Sequence, residues 1–168
     1  MKILIFVALI TLAFAYNNQT QNHTHNETSL HLSFSGFFDY RVPDHEGKWI
    51  IPTNGSLFVP YLRMGEPVYV NGTATLPYYD ETNSTNVTIV YDMEGFVHHI
   101  GDRDVKFWFN EMLIDDEYFV ELDKGQIETE GLWGNRTREL EGRFQFEDGA
   151  RLNFKHIPYR LHHFQNIY

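Results

Sequence analysis

Apolar and polar residues alternate along most of this chain with the two-residue period of half-buried strands, not the 3.6-residue period of helices. The pattern starts abruptly at Leu30. Leu30, Leu32, Phe34 and Phe38 fall on one side, and His31, Ser33, Ser35 and Phe37 intervene. Segments of similar character occupy 48–51, 57–62, 67–76, 86–93, 95–100, 105–110, 117–122, 138–146 and 150–157, with Gly, Pro or Asn between them. No window of eleven or more residues carries a helical stripe, although Met112-Leu113-Ile114 allows one helical turn. About ten short strands at this spacing predict an all-β fold, a single antiparallel β-sandwich or barrel over residues 29–168.

The sharpest local expectation is a hairpin near the C-terminus. A three-residue loop, Glu147-Asp148-Gly149 with Gly149 left-handed, pairs Phe146 with Ala150, Phe144 with Leu152, Gly142 with Phe154 and Leu140 with His156 on one face. The other face then pairs Gln145 with Arg151, Arg143 with Asn153 and Glu141 with Lys155. A two-residue loop would set Phe146 against Arg151 and mix the faces. The segment from Gly142 to Gly149 resembles part of one MORN repeat, but no matching period recurs, so it reads as an isolated hairpin.

The chain opens with Lys2, an apolar run from Ile3 to Phe14 and the small pair Ala13 and Ala15, which predicts a cleavable signal peptide over 1–15. That run is shorter than the roughly 20 residues a membrane span requires, and no later stretch is apolar enough. Residues 16–28 are mainly Asn, Gln, Thr and His and predict a disordered arm. Asn-x-Ser/Thr triplets stand at Asn18, Asn22, Asn26, Asn54, Asn71, Asn83, Asn86 and Asn135, eight of the twelve asparagines. Chance would give about one, so the expected partners include N-linked glycans and the expected destination is extracellular. A glycan must point to solvent. An outward Asn71 turns Val68 and Val70 inward, and an outward Asn86 does the same for Val87, Ile89 and Tyr91; Asn54 and Asn135 read as turn tips.

Composition narrows the classes further. The chain has no cysteine, so neither disulfides nor thiolate metal sites stabilise it, and the 16% aromatic content has to supply the core. The net charge is −10, or −11 once Lys2 leaves with the leader, which disfavours nucleic acid and anionic lipid as partners.

The sequence carries no nucleophile elbow, phosphate loop, zinc-protease helix motif or calcium loop, so it assigns no catalytic residue, metal or cofactor. Adjacent histidines, His98-His99 and His162-His163, point to opposite faces of a strand; with His156 or Asp102 they are the weak metal candidates. Asp115, Asp116, Glu117 and Glu121 are read as a solvated acidic face, with Tyr118, Val120 and Leu122 inward.

No sequon lies between Asn86 and Asn135 or beyond Asn135, which leaves two candidate interfaces. One is Phe107-Trp108-Phe109, where consecutive aromatics must face both sides of a sheet. The other is the tail with Leu161, Phe164 and Ile167, which like the first strand offers an edge for a neighbouring chain. The leading expectation is therefore a secreted, non-enzymatic binding or structural glycoprotein, with a second copy or another extracellular protein or glycan as partner.

A different class comes from Gly47-Lys48-Trp49, which resembles the Gly-x-Trp signature of lipocalins and their calycin relatives. The resemblance implies an up-and-down barrel closed at one end by Trp49, with Arg151 or Arg160 packed over the ring. It also implies a small apolar ligand carried inside.

Overall fold

The computed structural model describes residues 28–44, 46–79, 84–133 and 136–164. The predicted leader, the arm up to residue 27, the sequon asparagines Asn18, Asn22, Asn26, Asn83 and Asn135, and Ile167 lie outside the described residues. Eight strands are present: β1 (Leu30–Arg41), β2 (Trp49–Val59), β3 (Pro67–Tyr79), β4 (Ser84–Ile100), β5 (Asp104–Ile114), β6 (Tyr118–Glu130), β7 (Glu139–Phe146) and β8 (Arg151–Phe164). Each pairs antiparallel with its neighbour in the chain, and β8 returns to β1, giving a closed up-and-down barrel and not a sandwich.

Eight strands replace the expected ten because glycines expected to break strands lie inside them. Asn54-Gly55 sits in mid-β2, so 48–51 and 57–62 are largely one strand. Gly95 likewise lies within β4, which joins 86–93 to 95–100. Met112-Leu113-Ile114 is the end of β5 and not a helical turn.

These glycines do a specific job. Phe34 stands directly opposite Gly55, Tyr91 opposite Gly72, Phe109 opposite Gly95 and Phe154 opposite Gly142. In each pair the ring lies over the space a side chain would fill. A Cβ on Gly55 would come 2.7 Å from Phe34 Cζ, and one on Gly95 would come 2.6 Å from Phe109 Cδ1. At Gly72 and Gly142 the obstructing groups are the Tyr91 and Phe154 rings themselves. Three of these rings, Tyr91, Phe154 and Phe109, are linked across the barrel through Phe38 and Phe144. Tyr91 lies 5.8 Å from Phe38, Phe38 5.3 Å from Phe154, Phe154 6.1 Å from Phe144 and Phe144 6.3 Å from Phe109, between centroids. Such offset and tilted contacts add to the area they bury.

On one side of this belt the interior is filled. Leu30, Leu32, Leu57, Val59, Val68 and Leu140 are fully buried. The β6–β7 connection closes that end with buried Leu132 and with Trp133, whose ring meets Phe164 edge-on at 6.1 Å. Tyr159 is buried beside them, and its hydroxyl donates to the Glu130 carbonyl at 2.8 Å.

The C-terminal hairpin has the expected three-residue loop: Gly149 has φ +83°, and Phe146 N–H donates to the Ala150 carbonyl at 2.9 Å. Pairing runs as expected from Gln145–Arg151 to Gly142–Phe154 and then slips by one. Leu140 faces Ile157 and not His156. His156 adopts φ +54° and forms a bulge, which brings apolar Ile157 inward in place of the imidazole.

Gly142→Ala presses a methyl group into the Phe154 ring, and Gly55→Ala presses one into the Phe34 ring and the Asn71 carbonyl. Each is expected to lower the unfolding free energy by about 1–3 kcal/mol in urea titrations. Unchanged midpoints in both variants would show that the rings move aside freely and carry no such constraint.

Candidate functional site

An eight-stranded barrel is just wide enough to be filled by side chains or to enclose a small cavity, and this one is packed at one end and open at the other. On the side of the ring belt away from Trp133 the interior opens into a cup of about 690 Å³. Phe38 and Tyr91 form its floor, Ala74, Ile51 and Met112 its lower wall, and Leu76, Ile89, Ile114 and Leu152 its upper wall. The volume falls in the range of small-molecule sites, which are mostly apolar with a few polar groups.

Unequal strand heights give the cup its shape. Above the Thr53–Ala74 and Tyr91–Ile114 pairs, β3 and β4 continue to Tyr79 and Ser84 as a two-stranded ribbon with no other ladder partner among the described residues. Leu76 and Ile89 of that ribbon face the cup. On the other side β7 stops at Phe146, opposite Leu122, while β6 runs on to Tyr118 with β5 as its described partner. The wall is therefore notched beside Phe119, Val120 and Glu121, and the β7–β8 turn forms the lower lip. Phe119 is 64% exposed at this opening, an unusual position for a phenylalanine.

Polar groups inside the cup are few. Thr53 donates its hydroxyl hydrogen to the Thr73 carbonyl at 2.9 Å, so the Tyr91 hydroxyl donates to Thr53 Oγ1 at 2.8 Å. Burial pushes the Tyr91 phenol up to about 12, although the Thr53 contact pulls it down, so the ring stays neutral at any ordinary pH. Tyr40, nearer the mouth, is also raised, first by burial and then by the charge of Asp148.

Asp115, Asp116, Glu117 and Glu121 are exposed, as the solvated acidic face requires, and Glu121 also stands at the mouth of this cup. The turn after β5 sets Asp115 and Asp116 at φ +52° and +57°, conformations Asp tolerates better than most residues. Its geometry is fixed from β4: Asp115 N–H donates to the Val90 carbonyl at 2.9 Å, and Asp115 Oδ1 accepts from Val90 N–H at 2.7 Å. Glu121 itself lines the cup, with Glu147 and Asp148 from the β7–β8 turn. The sequence reading missed this grouping because Glu121 and Glu147 become neighbours only through strand pairing.

The described sequon asparagines all face out. Asn54, Asn71 and Asn86 are exposed, on adjacent strands β2, β3 and β4. Asn54 is not a turn tip: it stands in mid-strand opposite Thr73, and Asn71 stands opposite Ser56, so the two triplets pair with each other. Asn71 also donates to Asp92 Oδ1 at 2.8 Å. Val68 and Val70 are buried as expected; Val87 has the inward parity but lies on the free ribbon and is exposed.

The candidate interfaces divide. Phe107 and Phe109 are core residues, and Trp108 alone of the three faces out, 42% exposed, because β5 alternates strictly there. His98 stacks on the Trp108 ring at 3.5 Å and Phe96 meets it edge-on at 6.1 Å, forming a small aromatic patch on the outer face of β4 and β5. Leu161 and Phe164 are half-buried in β8, opposite Leu32 and Leu30 of β1. The two terminal strands thus pair with each other, and the edges expected to be available for a second chain close the barrel instead.

Among the described histidines, His31 and His162 lie 5.0 Å apart between ring centroids. His98 lies on Trp108, His162 contacts Ser33 Oγ at 2.7 Å, and His156 contacts Glu139 at 2.7 Å, which raises the imidazole above its usual range. Among the described residues no three His, Asp or Glu side chains converge on a metal-sized site. No helix of the described residues is long and apolar enough to cross a membrane.

Trp49 sits at the open end of the barrel, opposite Tyr40 with ring centroids 5.9 Å apart, and does not close the packed end. Arg160 stands opposite Ser33, far down β1 from Trp49, and Arg151 is exposed opposite Arg41. The up-and-down barrel that the lipocalin resemblance implies is present, but the tryptophan is at the other end. Comparison with protein-family models, with curated proteins and with solved structures gives no match.

The two halves of the barrel should respond oppositely to volume changes. Leu57→Ala, in the filled half, is expected to cost about 2–5 kcal/mol by leaving a cavity. Ala74→Leu extends into the cup and is expected to cost less than about 1 kcal/mol, since nothing there is overpacked. Denaturant titration of both variants checks the contrast, and equal losses would mean that the cup is not free space.

Proposed function

We propose that this protein is a secreted, N-glycosylated carrier that holds a small apolar molecule in the open half of its barrel. The observation that carries the reading is the cup: an apolar cavity with an aromatic floor, drawn from strands all around the barrel and open at one end. A protein that needed only a stable core would gain by filling it, since unfilled apolar space costs dispersion energy. The Lys2-to-Ala15 leader pattern supports secretion. The outward Asn54, Asn71 and Asn86 support a glycan-bearing face over β2–β4, on the outside of the wall whose inside lines the cup. The assigned role is binding, with no catalytic step.

The neutral dye Nile red is expected to bind the protein and to be displaced by a neutral alkane-chain alcohol. Ala74→Trp, which projects from the lower wall into the cup, is expected to weaken dye binding at least about tenfold. Mass spectrometry of the native secreted material is expected to show an apolar passenger and glycans at Asn54, Asn71 and Asn86. Absence of dye binding together with absence of any passenger would sink the carrier reading; bare asparagines would sink the glycoprotein one.

A second reading, association through the outer face of β4 and β5, is favoured by one observation, the exposed Trp108 with His98 stacked on it. Sedimentation at high concentration is expected to show a dimer that Trp108→Ser abolishes. A monomer at every concentration rules this contact out.

A further inference from the structure

Three charged side chains line the cup, Glu121, Glu147 and Asp148, and all three are acids. They stand together at the notch, where β6 overtops β7. The Leu122–Phe146 pairing makes Glu121 and Glu147 neighbours, and the Glu121 carboxyl group beside it, with a smaller contribution from Asp123, holds the Glu147 carboxyl above its ordinary range. Asp148 Oδ1 accepts from Ala150 N–H at 2.9 Å, which fixes it at the base of the same turn.

No basic side chain of the described residues forms an ion pair with these three acids. Among the described residues the ion pairs join Lys48 to Asp39, Lys106 to Asp104 and Glu128, and His156 to Glu139 and Glu141, and none reaches the notch. Two carboxylates in contact repel unless a proton or a cation lies between them. Acids on a surface are commonplace. Here, however, they rim an apolar cavity whose shape and aromatic floor point to a ligand independently of any charge.

We propose that the cup takes an amphiphile with a cationic head: an apolar body resting on the Phe38–Tyr91 floor and an ammonium group held at the notch by Glu121, Glu147 and Asp148. This rests on the carrier reading above and adds the ligand's chemical class to it. An alkyl or aryl amine satisfies both halves of the site at once. A fatty acid of the same length places like charge against the acids, and a neutral alcohol leaves them unanswered.

Calorimetric titration of the intact secreted protein with n-decylamine, n-decanol and n-decanoate below their micellar concentrations tests this at neutral pH and low salt. The amine is expected to bind at least about tenfold more tightly than the alcohol, and decanoate more weakly than either, with the amine preference shrinking as salt is raised. The double variant Glu121→Gln/Glu147→Gln is expected to lose the amine preference, binding amine and decanol within about twofold of each other, while an unchanged circular dichroism spectrum shows that it is folded. Equal binding of amine and alcohol, or an amine preference that survives in the double variant, overturns the cationic-head inference and leaves the carrier reading standing. Failure of all three compounds to bind the parent protein overturns both.

Discussion

The placing of aromatic rings over glycines at the barrel's waist is the constraint on which the rest of this structure depends. Four rings each lie on a glycine directly opposite in the next strand, so strands can pass close together while the rings turn inward, three of them joined through Phe38 and Phe144. The same arrangement explains the exposed sequons. Gly55 and Gly72 are the middle residues of two Asn-Gly-Ser/Thr triplets and face the interior beneath Phe34 and Tyr91. A residue in a strand points opposite to its neighbours, so Asn54 and Asn71 must face solvent. One geometric requirement thus sets both the floor of the cup and the outer surface of β2 and β3.

Much of this fold was legible in the sequence, and what was missed was missed for a physical reason. The alternation from Leu30 to Phe38 gave β1 its buried side, and the apolar segregation around Glu147-Asp148-Gly149 gave the last hairpin its loop and most of its register. Glycine was misjudged. As a local signal it marks turns, and that reading split β2 and β4. Here its role is non-local, to leave room for a ring on another strand, and only the pairing register shows which ring. The slip at His156 escaped for a related reason: a bulge is decided by which of two neighbours fits the interior, and Ile157 fits where His156 does not.

The cup was less legible still. Its wall residues look like any core residues, since Leu76, Ile89 and Ile114 carry the same alternation as Leu57 and Val68. Whether such positions enclose packed side chains or open space depends on strand heights and on what lies across the barrel. The acids followed the same logic. Glu121 belongs to an exposed stretch of β6 and Glu147 to a turn, and each alone is an ordinary surface residue. They form a site because β7 is short.

Closure of the barrel by β1 and β8 also has a consequence for how the chain folds. Leu30 and Leu32 find their partners in Phe164 and Leu161, at the opposite end of the sequence. During synthesis the first strand is therefore the earliest made and the last to be satisfied on both sides, with no disulfide to hold a partial structure. Pairings of such long sequence separation are slow to form, and an unpaired strand that waits for one exposes apolar side chains and backbone groups to other chains.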